Sequence, residues 1–150
     1  MAYTTIDDPA VYFNTVLYTG NAGTQSITGV GFSPALNWIK CRGAAENHAV
    51  SDSVRGDSGA ASGYYVLYPN LNSAEYGSSG NAYVTALGSD GFSIGNNDVV
   101  NIAQPFVSWN WKAGTSFTND ASATGIGTID STGSFNNTSG FSIVSYSGTG

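Results

Sequence analysis

The stretch Gln104-Pro105-Phe106-Val107-Ser108-Trp109-Asn110-Trp111-Lys112 reads as a β-strand. Strand alternation sorts it into two rows: Val107, Trp109 and Trp111 on one side, Phe106, Ser108, Asn110 and Lys112 on the other. Two tryptophans and a valine in one row predict that this row faces a core, at roughly 2 kcal/mol or more per large side chain buried. Pro105 has no amide proton to give to a ladder, so it belongs near the strand start or at an edge. No helix of useful length fits such a pattern, and the rest of the chain repeats it in shorter form.

Upstream, Tyr12 to Tyr18 is a second strand, ending at Thr19-Gly20-Asn21, and Gln25 to Thr28 is placed to fold back on it as a hairpin. Ala35 to Arg42 has the rows Leu36, Trp38, Lys40, Arg42 and Asn37, Ile39, Cys41, and alternation alone does not assign its inner face. His48 to Ser53, Tyr64 to Tyr68, Tyr83 to Leu87 and Gly91 to Ile94 are further strand candidates, separated by turn signals at Val54-Arg55-Gly56, Pro69-Asn70 and Ser89-Asp90-Gly91. Gly95-Asn96-Asn97-Asp98 is another turn signal, and Gly56 to Gly63 reads as an exposed loop. Eight or nine short strands, with no sustained 3.6-residue period, predict two stacked antiparallel sheets.

Composition agrees. Gly, Ser, Thr and Asn make up 68 of the 150 residues, only 9% are charged, and 41% are hydrophobic with 13% aromatic. Disordered chains lack that aromatic content, and helical bundles need the Lys, Arg, Glu, Gln and Met that are scarce here. The formal charge of −6 argues against a nucleic-acid partner, which demands a basic face, and against an anionic membrane surface. One cysteine, Cys41, excludes an internal disulfide or a cysteine-based zinc site and reads as a buried structural thiol. No run approaches a membrane span, and residues 1 to 9 carry neither the basic nor the apolar region of a secretory signal.

The organisation expected is an extended arm at residues 1–10, a sandwich at 11–114, a Gly/Ser/Thr/Asn-rich linker at 115–139 with one weak strand (Ile126 to Ser131), and a terminal strand at 140–150. That last strand repeats the first. Phe13 to Gly20 and Phe141 to Gly148 share Phe-x-x-Val-x-Tyr-[Ser/Thr]-Gly, as though a second unit of an array begins there. The array is the favoured reading; two similar strands within one sandwich are the alternative.

Residues 1–9, Met-Ala-Tyr-Thr-Thr-Ile-Asp-Asp-Pro, open a set of phrases with a familiar order. It continues through Tyr18-Thr19-Gly20-Asn21, Phe32-Ser33-Pro34-Ala35-Leu36-Asn37-Trp38-Ile39-Lys40-Cys41-Arg42 and Asp52-Ser53-Val54-Arg55-Gly56. Ser89-Asp90-Gly91-Phe92, Ser108-Trp109-Asn110-Trp111-Lys112-Ala113-Gly114 and Gly140-Phe141-Ser142-Ile143-Val144 complete it. Together they resemble concanavalin-like proteins of unknown function encoded by marine bacteriophages that infect cyanobacteria and other ocean bacteria. The resemblance implies a jelly-roll-like sandwich in virion structural proteins such as tail fibres, with no established activity and no binding residue to carry over.

Candidate chemistry is sparse. Lys40, Arg42, His48, Asp52 and Arg55 gather three cations, the only histidine and an aspartate within sixteen residues. His48 and Asp52 form a base-and-orienter pair only if the chain bends, since i and i+4 on a strand lie about 13 Å apart. The plainer expectation is that Asp52 pairs with Arg55 or Lys40 and pins a loop; an anion or sugar contact is the alternative. No nucleophile elbow is present for a Ser-His-Asp triad. Asp90, Asn96, Asn97 and Asp98 offer hard oxygen ligands but not EF-hand spacing, and turn formation explains them. Glu46 and Glu75, both in loops, are a weak basis for a glycosidase pair. Tyr64, Tyr65, Tyr68, Tyr76 and Tyr83 are numerous enough for stacking on sugars, with Tyr76 in its Gly/Ser loop the best placed.

The function expected is therefore non-enzymatic, with no cofactor and no metal: a virion component (fibre, decoration or adaptor) made in the host cytoplasm. It would form a homo-oligomer with copies of itself and other virion proteins, through sheet contacts and strand addition by its two ends. The alternative is a lectin-like module that recognises host surface glycan. The candidate contact residues are Tyr76, Lys40, Arg42, His48, Asp52 and Arg55.

Overall fold

A computed structural model describes residues 6–56, 58, 63–77 and 82–150. Ten strands form three antiparallel sheets. The largest has four strands in the order β1 (Phe13–Thr19), β7 (Pro105–Trp111), β3 (Leu36–Cys41) and β4 (His48–Asp52). A second sheet orders β2 (Gln25–Thr28), β6 (Gly91–Ile94) and β5 (Val84–Gly88). A third orders β10 (Phe141–Tyr146), β9 (Ser131–Asn136) and β8 (Thr115–Asn119). The first two close face to face on the main core, which holds Ile39, Cys41, Ala49 and Phe106 from one sheet and Ile27, Val84, Phe92 and Ile94 from the other. The protein is an all-β sandwich with a further sheet attached.

Phe106, Ile39 and Ile94 are fully buried, and Tyr18 stacks on Phe106 at 5.1 Å between ring centroids. The Tyr18 hydroxyl donates to the Val100 carbonyl at 2.7 Å, so a buried phenol keeps a partner. Helix α1 (Asp98–Asn101) starts at Asn97, whose side chain accepts from the Val99 amide; it lies where a plain turn was expected. Asn101, fully buried, donates to the Gly23 and Gly95 carbonyls and ties the α1 end to the turn after β1. Asp90 accepts the amides of Gly29 and Gly31, so it anchors a turn.

Four expectations are corrected. The inner row of β7 is Phe106, Ser108 and Asn110, all fully buried, and Trp109 and Trp111 are only half-buried on the opposite side of the sheet. The reason is a polar rung inside the sandwich. Asn14, Asn110, Asn37 and Ser51 stand side by side across β1, β7, β3 and β4. Asn37 donates to the Asn110 side-chain oxygen at 2.6 Å, Ser108 donates to the same oxygen, and Asn110 donates to the Asn14 and Ser108 carbonyls. Both ends of the Asn110 amide and the Asn37 Nδ2 donor find partners here, while Asn37 Oδ1 and Ser51 Oγ find none among the described residues, so the rung offsets part of the penalty that otherwise keeps polar groups out of a core.

The second correction concerns β2. It pairs with β6 in the opposing sheet, not with β1 as a hairpin. The third concerns residues 115–139. They hold β8, β9 and a short helix, α2 (Ala121–Thr124), where a linker was expected; Ile126 is exposed and outside any strand, and the strand begins at Ser131. Small residues hid these strands. Gly133 in β9 lies beneath the ring of Phe117 and against the Ile143 carbonyl, so a side chain there would collide with both neighbouring strands. Fourth, Tyr64 to Tyr68 forms isolated bridges, Val50 with Leu67 and Val66 with Tyr76, instead of a full strand. At the amino end, a short 3-10 turn, Pro9–Val11, capped by Asp8, interrupts the expected extended arm; its residues 1–5 lie outside the described residues. Of the loop expected at Gly56 to Gly63, only residues 56, 58 and 63 are described.

Candidate functional site

The outer face of the four-stranded sheet follows from its register. One rung carries Phe13, Trp111, Leu36 and Asp52; the next, Thr15, Trp109, Trp38 and Val50; the third, Leu17, Val107, Lys40 and His48. The third sheet covers the first rung from above, where Phe141 of β10 stacks on Trp111 at 6.0 Å and Phe13 packs on the same indole at 4.9 Å. The second and third rungs stay open, and Leu17 is 62% exposed.

Trp38, His48, Trp109 and Trp111 line a cleft of about 310 Å³ on that open face. The indoles of Trp38 and Trp109 meet edge to face at 6.2 Å and 74°, so they form two walls near a right angle. Trp38 Nε1–H donates to His48 Nδ1 at 3.0 Å, and the imidazole lies edge-on to the indole. That bond places the proton of neutral His48 on Nε2. Burial first, and the Lys40 charge second, push the His48 pKa below its ordinary value, so the ring is neutral near pH 7.

The six residues singled out from sequence divide between this face and other tasks. Lys40 lies on the third rung, and its ammonium donates to the Glu46 carbonyl, closing the β3–β4 turn. Asp52 pairs with Arg55 rather than Lys40, with Arg55 Nε donating to Asp52 Oδ2 at 2.6 Å. Arg55 also meets Glu75 at 2.9 Å and the Val50 carbonyl at 3.0 Å, while Asp52 Oδ1 accepts the amides of Val54 and Arg55. Asp52 thus pins the turn after β4. His48 and Asp52 bond to different partners, so the base-and-orienter arrangement is not formed. Arg42 is exposed at the end of β3, its amide donating to the Pro105 carbonyl. Tyr76 is exposed and set edge-on to Tyr83. The Tyr68 and Tyr83 hydroxyls bond each other; burial, then that bond, raises the Tyr68 pKa, and Tyr83 is buried.

Between the third sheet and the rim of the four-stranded sheet runs a groove of about 670 Å³, bounded by Leu36, Val50, Arg55 and Leu67 on one side and Ile143 to Ser147 on the other. Among the described residues, no group of three or more His, Cys, Asp or Glu is placed to hold a metal ion, and no helix is long and apolar enough to cross a membrane.

The sequence pattern places Trp109 and Trp111 in the core and leaves the inner face of the Trp38 strand open, so alternation alone misses the cleft. Lys40 was the signal that could have found it. It shares a row with Trp38, and a lysine row seldom faces a closed core; pairing β3 with β7 then carries Trp109 outward as well.

A family profile described as domain of unknown function (DUF7483) matches residues 8–150. The chain belongs to this family. The match takes in all three sheets of the DUF7483 domain, the third as well as the two that sandwich the core. No curated protein and no solved structure matches the chain.

Proposed function

We propose that this chain is a non-enzymatic structural module of a phage virion, in a fibre, decoration or adaptor, that assembles with its own copies and with other virion proteins through its β-sheets. One observation supports this reading most. β10 is one of the two edge strands of the third sheet, and it turns Val144 (50% exposed) and Tyr146 (66% exposed) to solvent. An open, apolar edge strand is a template for pairing with another chain unless something caps it. Asp52, Arg55 and Glu75 are joined in ion pairs, the first two pinning the turn after β4. The test is sedimentation of the full chain over a range of concentrations. A defined oligomer that Val144→Lys dissolves supports the reading; a monomer at millimolar concentration overturns it.

A second reading, a lectin-like module for host surface glycan, is favoured by a separate observation, the open cleft of Trp38, Trp109 and Trp111. The two readings are compatible, because a fibre both builds and binds.

A further inference from the structure

We propose that the cleft of Trp38, Trp109, Trp111 and His48 is a binding site for a neutral saccharide, with a pyranose ring laid on the Trp109 indole. This rests on the second reading above and names its site and ligand class.

Three properties of the cleft carry the inference. The first is shape. Walls near a right angle, one indole presenting a face and the other an edge, suit a flat ring with C–H bonds on one side and hydroxyls at its rim. At about 310 Å³ the cleft lies at the small end of ligand sites, which run from roughly 300 to 1,000 Å³.

The second is hydrogen bonding. His48 Nδ1 is occupied by Trp38, so its Nε2–H is the donor left for a ligand hydroxyl. Thr15, an exposed residue, lies directly across from Trp109 on β1. An apolar surface with a few neutral, fixed polar groups is the usual composition of a site for an uncharged polar ligand.

The third is charge, which decides between candidates. An aromatic box also suits a quaternary ammonium ion. Such boxes gain from a nearby carboxylate, but the four residues that line this one include none, and Lys40 stands one rung from Trp38. A cation finds no carboxylate among the described residues of the lining, and an anion finds no free cation there, because the Lys40 ammonium is held by the Glu46 carbonyl. A neutral ligand needs neither.

Pre-organisation strengthens the case. Trp111 is clamped between Phe13 and Phe141, and Trp38 is fixed by His48. Walls already held in place lose little conformational freedom on binding. Trp109 is then the surface that a ligand completes.

The experiment is a tryptophan-fluorescence titration of the full chain with cellohexaose, maltohexaose, mannohexaose, chitohexaose and choline, each to about 10 mM. At least one oligosaccharide is expected to bind. Trp109→Ala should then weaken it roughly tenfold or more, with an unchanged amide NMR spectrum away from the sheet face. His48→Phe should weaken it less, and Tyr76→Ala not at all. If Trp109→Ala fails to fold, Trp109→Thr together with His48→Phe serves in its place. Equal affinity in Trp109→Ala places the glycan elsewhere: the cleft proposal falls and the lectin reading stands. No binding by any sugar overturns both. Choline binding in place of sugar, or a dimer that Trp109→Ala abolishes, overturns the saccharide assignment.

Discussion

The two faces of the four-stranded sheet invert the usual distribution of residue types. The face sealed against the second sheet carries Asn14, Asn37, Ser108 and Asn110 beside Phe106 and Ile39. The face turned outward carries Trp38, Trp109, Trp111, Val107 and Leu17. Polar side chains go inside where Asn110 collects most of their hydrogen bonds, and Trp38 and Trp109 stand half-buried outside. The inner face holds the folding core, and the outer face carries the proposed cleft. Substitutions should separate the two.

The largest expected separation is between two aromatics of one strand. Phe106→Ala removes a fully buried ring and leaves a cavity, at a cost of about 3–5 kcal/mol. Trp109→Ala, a larger truncation by volume, removes a half-buried side chain and should cost no more than about 1–2 kcal/mol, because much of its surface already meets water. Urea denaturation of the two variants measures both. Equal losses would mean that the outer face is part of the folding core, and the division between faces would fail.

A smaller effect sharpens the inner face. Asn110→Ala strands the Asn37 amide that donates to it and the Ser108 hydroxyl that shares the same oxygen. About 2–3 kcal/mol should be lost, the cost of buried polar groups left unpaired. Asn37 Oδ1 and Ser51 Oγ, at paired positions of β3 and β4, have no hydrogen-bond partner among the described residues. Ser51→Ala removes one of those unmet groups and should be close to neutral in the same assay. The contrast distinguishes a working amide from an idle hydroxyl.

The sequence carried most of the fold and little of the site. Alternation in Gln104 to Lys112 locates β7, and the turn signals at Val54-Arg55-Gly56, Ser89-Asp90-Gly91 and Gly95 to Asp98 locate the end of β4 and both ends of β6, because local chemistry determines them. Alternation says that two rows exist and is silent on which faces inward. That choice depends on Asn37 finding Asn110 across 73 positions of chain, a tertiary fact. β8 and β9 escape for a related reason: their Ser, Thr and Gly residues become strands by pairing, β8 with β9 and β9 with β10, not by propensity. Asp52 was read correctly as a loop pin, since its partner is only three positions away.

The smallest effect tests the outer face through its one histidine. His48 Nδ1 accepts the Trp38 indole proton, and protonation of the ring would replace that acceptor with a second donor. The folded pKa lies below 6.5, from burial and then from Lys40. The folded state therefore prefers the neutral ring. Its contribution is complete above pH 6.5, where the unfolded chain is also neutral, and is lost as pH falls through the lower folded value. NMR of the Trp38 indole Nε1–H should report this directly: a constant downfield position above pH 7 and an upfield shift with a midpoint below 6.5. Lys40→Met removes the second cause and should move that midpoint upward, by less than the full displacement because burial is the larger cause. A midpoint at or above 6.5 would mean that His48 stands free in water, and Trp38 would lose the anchor that holds the cleft wall in place.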